Sequence, residues 1–379
     1  MYPLESSVLL TIAIKTFDAP ALTKGVLAAA GGFGLLASPF VTAISRRSGR
    51  PVMHIAAFVL VLSSVGFLFA LTGSLVALVV GAIVGGASVN AVVPLTTLTY
   101  ERNFPVETRG KRVARGMSLR VGVSAVVGLA MGSFLKHNPT QWWVVVAAGA
   151  IAAAVQAVCF ALIPSTALAR VPGVANRPWP HFDLLGTDRQ LRLTLGSWML
   201  MGFGNLMLLP LRVEYLAKPQ YGIEADARKI ALMTVVIPSI VRLLCIPVFG
   251  VVFDRLSFFT ARILVNVLFA TYIGAFFTGT SDAGLIFGAV ALGVGGAGGD
   301  LMWTLWVTKF APSDRVADYM GLHTFFTGVR AVAAPILGFA IIGKLSLGVV
   351  AGISVLMMLG ASGVLLPEAR AERARRAAR

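Results

Sequence analysis

Charge is scarce in this sequence. Only 13% of its 379 residues are Asp, Glu, Lys or Arg, against about a quarter in a soluble domain. With 57% apolar or aromatic residues and a mean hydropathy of +0.84, that shortage excludes an ordinary soluble enzyme and a disordered chain. Cysteine is scarcer still. Cys159 and Cys245 are the only two, both inside apolar runs, which excludes a disulfide scaffold and a thiolate metal centre and leaves them as packing residues. No His/Cys set has metal-ligand spacing, and no Ser/His/Asp arrangement is visible. The glycine-rich run Gly293 to Asp300 lacks the Lys and Ser/Thr of a phosphate loop. The sequence therefore reads as no enzyme, and it implies no cofactor and no metal.

What is abundant is apolar length. Runs of 18 or more residues recur along the chain, each long enough to cross about 30 Å of hydrocarbon as a helix. Spans are expected at 20–45, 52–72, 75–99, 113–135, 142–164, 191–216, 229–253, 262–280, 283–308, 319–342 and 345–366. Met1 to Phe17 is apolar but short and lacks the order of a signal peptide. It reads as the outer half of a twelfth span whose beginning is absent, with a genuine half-helix as the alternative. The fold class is an all-α polytopic membrane protein.

Basic residues outnumber acidic ones by 32 to 16, a net charge of +16. Their placement argues against nucleic acid. About 21 fall on one set of loops and the C-terminal end and about 7 on the opposite set, a bias that orients a membrane protein with its basic loops in the cytoplasm. The segments 46–50, 102–115, 170–192, 254–262, 309–315 and 370–379 then face inward, in the plasma (inner) membrane, with the C-terminus cytoplasmic. Arg120, Arg212, Arg242 and Arg330 remain inside or at the edge of apolar spans.

The chain repeats itself. The stretch Ser38 to Arg50 aligns with Ile246 to Phe258, setting Pro39 against Pro247 and Arg47 against Arg255. Asn90 falls opposite Asp300, and the next intramembrane arginine lies 30 residues on in both halves, at Arg120 and Arg330. Together with the proline-rich stretch near the midpoint, this divides the chain into a first bundle at 1–164, a linker at 165–190, a second bundle at 191–366 and a basic tail at 367–379. Parallel repeats of this kind characterise one large class of secondary transporter.

On these residues the chain resembles the major facilitator superfamily, whose signature between helices 2 and 3 is Gly-x-x-x-Asp-Arg-x-Gly-Arg. Arg47, Gly49 and Arg50 match it, while Thr42 and Arg46 replace the first Gly and the acid. The second copy keeps Gly250, Asp254 and Arg255 but has Ser257 at the later Gly. The resemblance implies two pseudo-symmetric six-helix bundles, twelve spans in all, with the signature latching their cytoplasmic ends. It also implies a central cavity lined by helices 1, 4, 7 and 10 and flanked by helices 5 and 8.

A charge in the bilayer core costs about 2.5–3.5 kcal/mol on insertion scales, so it marks a functional residue until shown otherwise. Glu5 lies 13 residues before Asp18 and Asp300 ten before Phe310, which puts them about 20 and 15 Å deep at 1.5 Å per residue. Either could hold the coupling proton. Asn90, Arg120, Asn205, Arg242, Trp303 and Arg330 are the residues that would meet substrate. Structural alternatives stay open: an Asp300–Arg330 bridge, an Asn90–Arg120 hydrogen bond, and Arg212 and Glu214 as snorkelling or gate residues at the outer end of helix 7.

The expected function is secondary active transport of a small organic solute, anionic if the arginines meet it, by alternating access coupled to protons or another ion. The chain is expected to work as a monomer in the lipid bilayer, with its small-molecule substrate and coupling ion as partners. Efflux of drug-like compounds, and a non-transporting sensor or assembly factor on the same scaffold, are the alternatives.

Overall fold

The computed structural model describes residues 7–168, 182–306 and 316–377. Among these the backbone is helical, and the one strand-like pairing is the isolated bridge between Pro51 and Ala167. The first half holds α1 (Leu9–Lys15), α2 (Ala21–Ala28), α3 (Ala30–Ser48), α4 (Val52–Ala70), α5 (Leu75–Ala91), α6 (Val93–Asn103), α7 (Val106–His137) and α8 (Trp142–Ala161). The second holds α9 (Leu184–Thr187), α10 (Arg189–Leu208), α11 (Leu211–Ala217), α12 (Ala227–Ala231), α13 (Ile237–Arg255), α14 (Phe258–Phe277), α15 (Asp282–Leu305), α16 (Val316–Ile341) and α17 (Leu347–Ala377).

Ten helical stretches are long and apolar enough to cross a membrane, and α2 with α3, bent by 44°, makes an eleventh. They fall on the eleven expected spans. Their apolar surface runs all round, as lipid on one side and protein on the other require. The first-turn N–H groups find acceptors in short side chains. The Ser74 hydroxyl accepts from Ala77 N–H, the Asp188 carboxylate from Leu191 and the Ser281 hydroxyl from Gly284. Gly49 closes α3 at φ 64°, a left-handed cap that a side chain would strain.

Between α12 and α13 the chain makes a π-helical turn, Leu232–Val236. Pro238 lies just beyond it and has no N–H for the Thr234 carbonyl, so the helix widens there. Pro39 and Pro247, aligned by the repeat, both lie inside their helices.

Within the first half α5 packs on α3 and α4, and α4 on α8; within the second α15 packs on α13 and α14, and α17 on α10 and α14. The halves meet through α2 and α3 against α16, α7 against α12 and α13, and α1 against α11. The repeat equates α3 with α13 and α7 with α16. Each half thus offers the same two helices to the other, as a two-fold axis along the membrane normal requires. α1 is enclosed on every face, with Leu9, Leu10, Ile12 and Ala13 all 2% exposed or less.

Two glycines set the spacing of the halves. A Cβ at Gly25 would stand 2.8 Å from the Ile336 Cα, and one at Gly32 would stand 2.8 Å from the Ala331 carbonyl carbon. These are backbone contacts that cannot yield. Gly32→Val is expected to lower stability by about 1–3 kcal/mol, read as a fall in Tm of the purified protein.

Some boundaries differ from expectation. Residues 367–377, expected as a tail, continue α17 as helix, and Glu368 pairs with Arg189 at 2.5 Å. In the expected linker, Ser165 and Thr166 dock on α4: the Ser165 hydroxyl accepts from Met53 N–H and the Thr166 carbonyl from Val52 N–H. Its centre, 169–181, lies outside the described residues, as does Glu5. Arg262, counted with a basic loop, is inside α14 and 1% exposed.

Candidate functional site

Four of the intramembrane charges of the second half fall into two groups. In the first, Arg242 on α13 faces Asp300 on α15, Nη1 to Oδ2 at 3.3 Å. The side chains are 29% and 35% exposed, so protein covers this pair only in part. The chain makes room for it with Gly296, one turn before Asp300, where a Cβ would stand 2.6 Å from a guanidinium nitrogen of Arg242. Gly296→Ala is expected to fold, because a guanidinium can move, yet to displace Arg242 from Asp300; a structure of the variant, beside an unchanged Tm, would show it.

Arg330, the other expected partner of Asp300, turns away from it. Its Nη1 donates to the Trp198 carbonyl and its Nη2 to the Thr327 hydroxyl at 3.3 Å. It belongs to a buried box in which the Arg262 guanidinium lies 4.1 Å from the Trp198 ring centre and the His323 ring packs edge-on at 4.6 Å from the same ring. Cation–π contact is the main compensation for Arg262 there. Trp303, three residues after Asp300 on α15, is half-buried with its ring 5.5 Å from His323, so it links the box to the ion pair.

The remaining candidates spread out. The Asn90 amide donates to the Gly31 carbonyl at 3.1 Å, tying α5 to α3 rather than to Arg120. Arg120 is exposed on α7. Asn205 is half-buried on α10, and its Oδ1 has no hydrogen-bond donor. Of the signature residues, Arg47, Gly49 and Arg50 lie exposed at the end of α3, and Arg255 is exposed at the end of α13. A Cβ at Gly250 would meet open space. The Asp254 side chain lies outside what is described.

A second polar feature joins the halves at the end opposite the basic loops. Lys24 on α2 bonds Glu214 on α11 at 2.5 Å, with side chains only 7% and 5% exposed, and the ammonium sits 5.4 Å from the Phe339 ring centre on α16. Lys136 pairs with Asp226 at 2.9 Å, and Lys218 with Asp18. Lys24 was countable from sequence only as an outer-loop cation, because it lies four residues into its span. Arg212 does not snorkel: it is buried, 5.7 and 6.0 Å from the Tyr272 and Phe276 ring centres.

Asp18 and Asp226, at that end, stay ionised. The hydrogen bond from Lys218 and its charge hold Asp18 below the usual carboxylate range. Burial alone would raise Asp226, but hydrogen bonds from the Lys229 and Arg228 backbones and from Lys136, with the Lys136 charge, bring it below that range too. A depressed folded value means the pair's contribution is complete above the unfolded pKa, about 3.9 for Asp, and is lost only as pH falls below it. These two pairs are therefore expected to be insensitive to pH between about 5 and 8. Cysteine accessibility at that end, measured across that range in Asp18→Asn and Asp226→Asn variants, would expose any hidden dependence.

Comparison with known proteins accords with this architecture. No curated protein matches the sequence at a significant level. Among solved structures, the chain superposes on the nucleoside transporter NupG with a TM-score of 0.70 at 14% identity, covering 98% of this chain and 95% of that one. It superposes on the xylose transporter XylE from E. coli, described as inward open, with a TM-score of 0.70 at 15% identity, covering 95% and 92%. A partially occluded inward-open form of XylE gives 0.71 at 14% identity, covering 97% and 94%. Such identities speak for the fold alone. Residues 6–335 match the family description itself, and with paired halves on that fold the chain belongs to the Major Facilitator Superfamily, a family of transporters and not of enzymes.

Proposed function

We propose that the chain is a proton-coupled secondary transporter that moves a small organic solute by alternating access, and that this structure is the form closed on the outside. The observation that carries the reading is the Arg242–Asp300 pair, one guanidinium and one carboxylate within apolar spans that protein covers only in part. Asp300 takes the coupling proton, with Glu5 as the other candidate, and Arg242 receives an anionic group of the solute when Asp300 is neutral. Trp303, three residues after Asp300 on the same helix, and Asn205, whose Oδ1 lacks a donor, are the further candidates for substrate contact, and Arg330 positions Trp198 rather than substrate. The three ion pairs between the halves at the far end, and the likeness to inward-open structures, support the outside-closed assignment. The basic loops then face the cytoplasm, with the C-terminus on that side.

The test is counterflow in proteoliposomes with a panel chosen from the site and the fold. Small carboxylates and phosphates follow from Arg242, nucleosides and aldopentoses from the superposed transporters. Counterflow of one class, with proton movement during net uptake, is the expected result. Absence of counterflow across the panel, in vesicles that retain folded protein, would count against the reading.

A further inference from the structure

A groove of about 540 Å³ opens on the surface of the first half and shares no residue with the Arg242–Asp300 pair. Its floor is α5, at Ala87, Ser88 and Ala91, and its walls are α3 and α4. Both of those helices pack along α5 but scarcely on one another, which leaves room for a groove there. The walls are apolar, and the rim residues Ile44, Phe58 and Leu62 are 57%, 68% and 43% exposed. One end is different: Ser48, Arg50 and His54 line it, and Arg46 and Arg47 lie on the same turn of α3.

Length and charge decide what fits. From Ser48 to Ala37 is eleven residues of helix, about 16 Å at 1.5 Å per residue, close to the 15 Å half-thickness of a bilayer core. A ligand must therefore be apolar over one leaflet's depth and negatively charged at the basic boundary. A soluble anion would leave the walls unused, and a sterol would leave the arginine unused. We propose that the groove binds one anionic phospholipid of the basic-side leaflet, an acyl chain along Val41, Ile55 and Val59 and its phosphate at Arg50. That leaflet is the cytoplasmic one if the orientation above holds, but the site itself does not depend on the transport reading. Basic clusters between helices at this depth suit anionic headgroups, each Arg near the surface contributing about fivefold in affinity.

The full-length protein, purified and delipidated in detergent, can be titrated with dioleoylphosphatidylglycerol or dioleoylphosphatidylcholine and read by native mass spectrometry. One phosphatidylglycerol should be retained at least about fivefold more tightly than phosphatidylcholine. Arg50→Gln should erase that preference, whereas Arg373→Gln, an equal loss of charge near the end of α17, should leave it. Ala37→Phe, or Leu62→Trp at the exposed rim should the first variant fold poorly, should remove the retained lipid of either kind. Equal binding of the two lipids, equal effects of Arg50→Gln and Arg373→Gln, or an unchanged lipid count in the groove-filled variants would each overturn the site. Transport need not be assayed, so failure here leaves the transporter reading standing and the reverse also holds.

Discussion

Asp300→Asn is expected to end uphill accumulation of solute while leaving exchange of solute for solute intact. Net coupled uptake requires that the carboxyl gain a proton on one side and lose it on the other; counterflow requires only that the loaded carrier reorient. Asparagine fills the same volume beside Arg242 and mimics the neutral acid. The accumulation ratio should fall to one, with counterflow within a few-fold of the parent. Arg242→Gln should behave differently. A charge-assisted hydrogen bond contributes about 1.5–3 kcal/mol, so affinity for an anionic solute should fall about 10- to 100-fold in both assays. Neither change should greatly affect folding, because a pair this exposed adds only about 0–1 kcal/mol. If Asp300→Asn still accumulates solute, Glu5→Gln is the next variant, and loss of coupling there would move the proton to the first half.

Much of this arrangement could be read from residues, and the exceptions share a cause. Spans are legible because a run of apolar residues has one stable answer in lipid, and the duplication because Pro39 and Pro247 keep their places eight residues before Arg47 and Arg255. Depth is legible by counting. Azimuth is not. Asp300 and Arg330 lie at similar depths on consecutive spans, which suggests a bridge, yet the rotation of α16 sends Arg330 to the Trp198 carbonyl and leaves Asp300 to Arg242.

Membrane boundaries mislead in the same way. Lys24 and Arg262 each lie within about one turn of a helix start, where a long cation could reach water. The bend between α2 and α3 and the Trp198 face turn both inward instead. A periodicity argument could have flagged Lys24: in the stretch 20–45 it is the one charged residue.

That lysine carries the second large effect. Lys24 and Glu214 lie on opposite halves, so opening the outer side must separate them. Removing one member of a buried pair leaves an uncompensated charge, at a cost of about 3–5 kcal/mol. In the open state both groups reach water and the cost disappears. Glu214→Gln should therefore shift the balance toward the open outer side by about 100-fold or more, at 1.4 kcal/mol per tenfold. A cysteine placed at Ala28, on the inner flank of the latch, would report it as faster labelling by an impermeant maleimide. Lys24→Met should act the same way through the stranded carboxylate. The pair Lys24→Met with Glu214→Met should reverse both, since an apolar pair of similar volume is often as stable as the ion pair it replaces, and should over-stabilise the closed form at the expense of turnover. This non-additivity separates a latch from two independent packing residues, whose effects would sum. Unchanged labelling in Glu214→Gln would remove the pair from the gate and leave closure to the glycine contacts of α2 and α3 with α16.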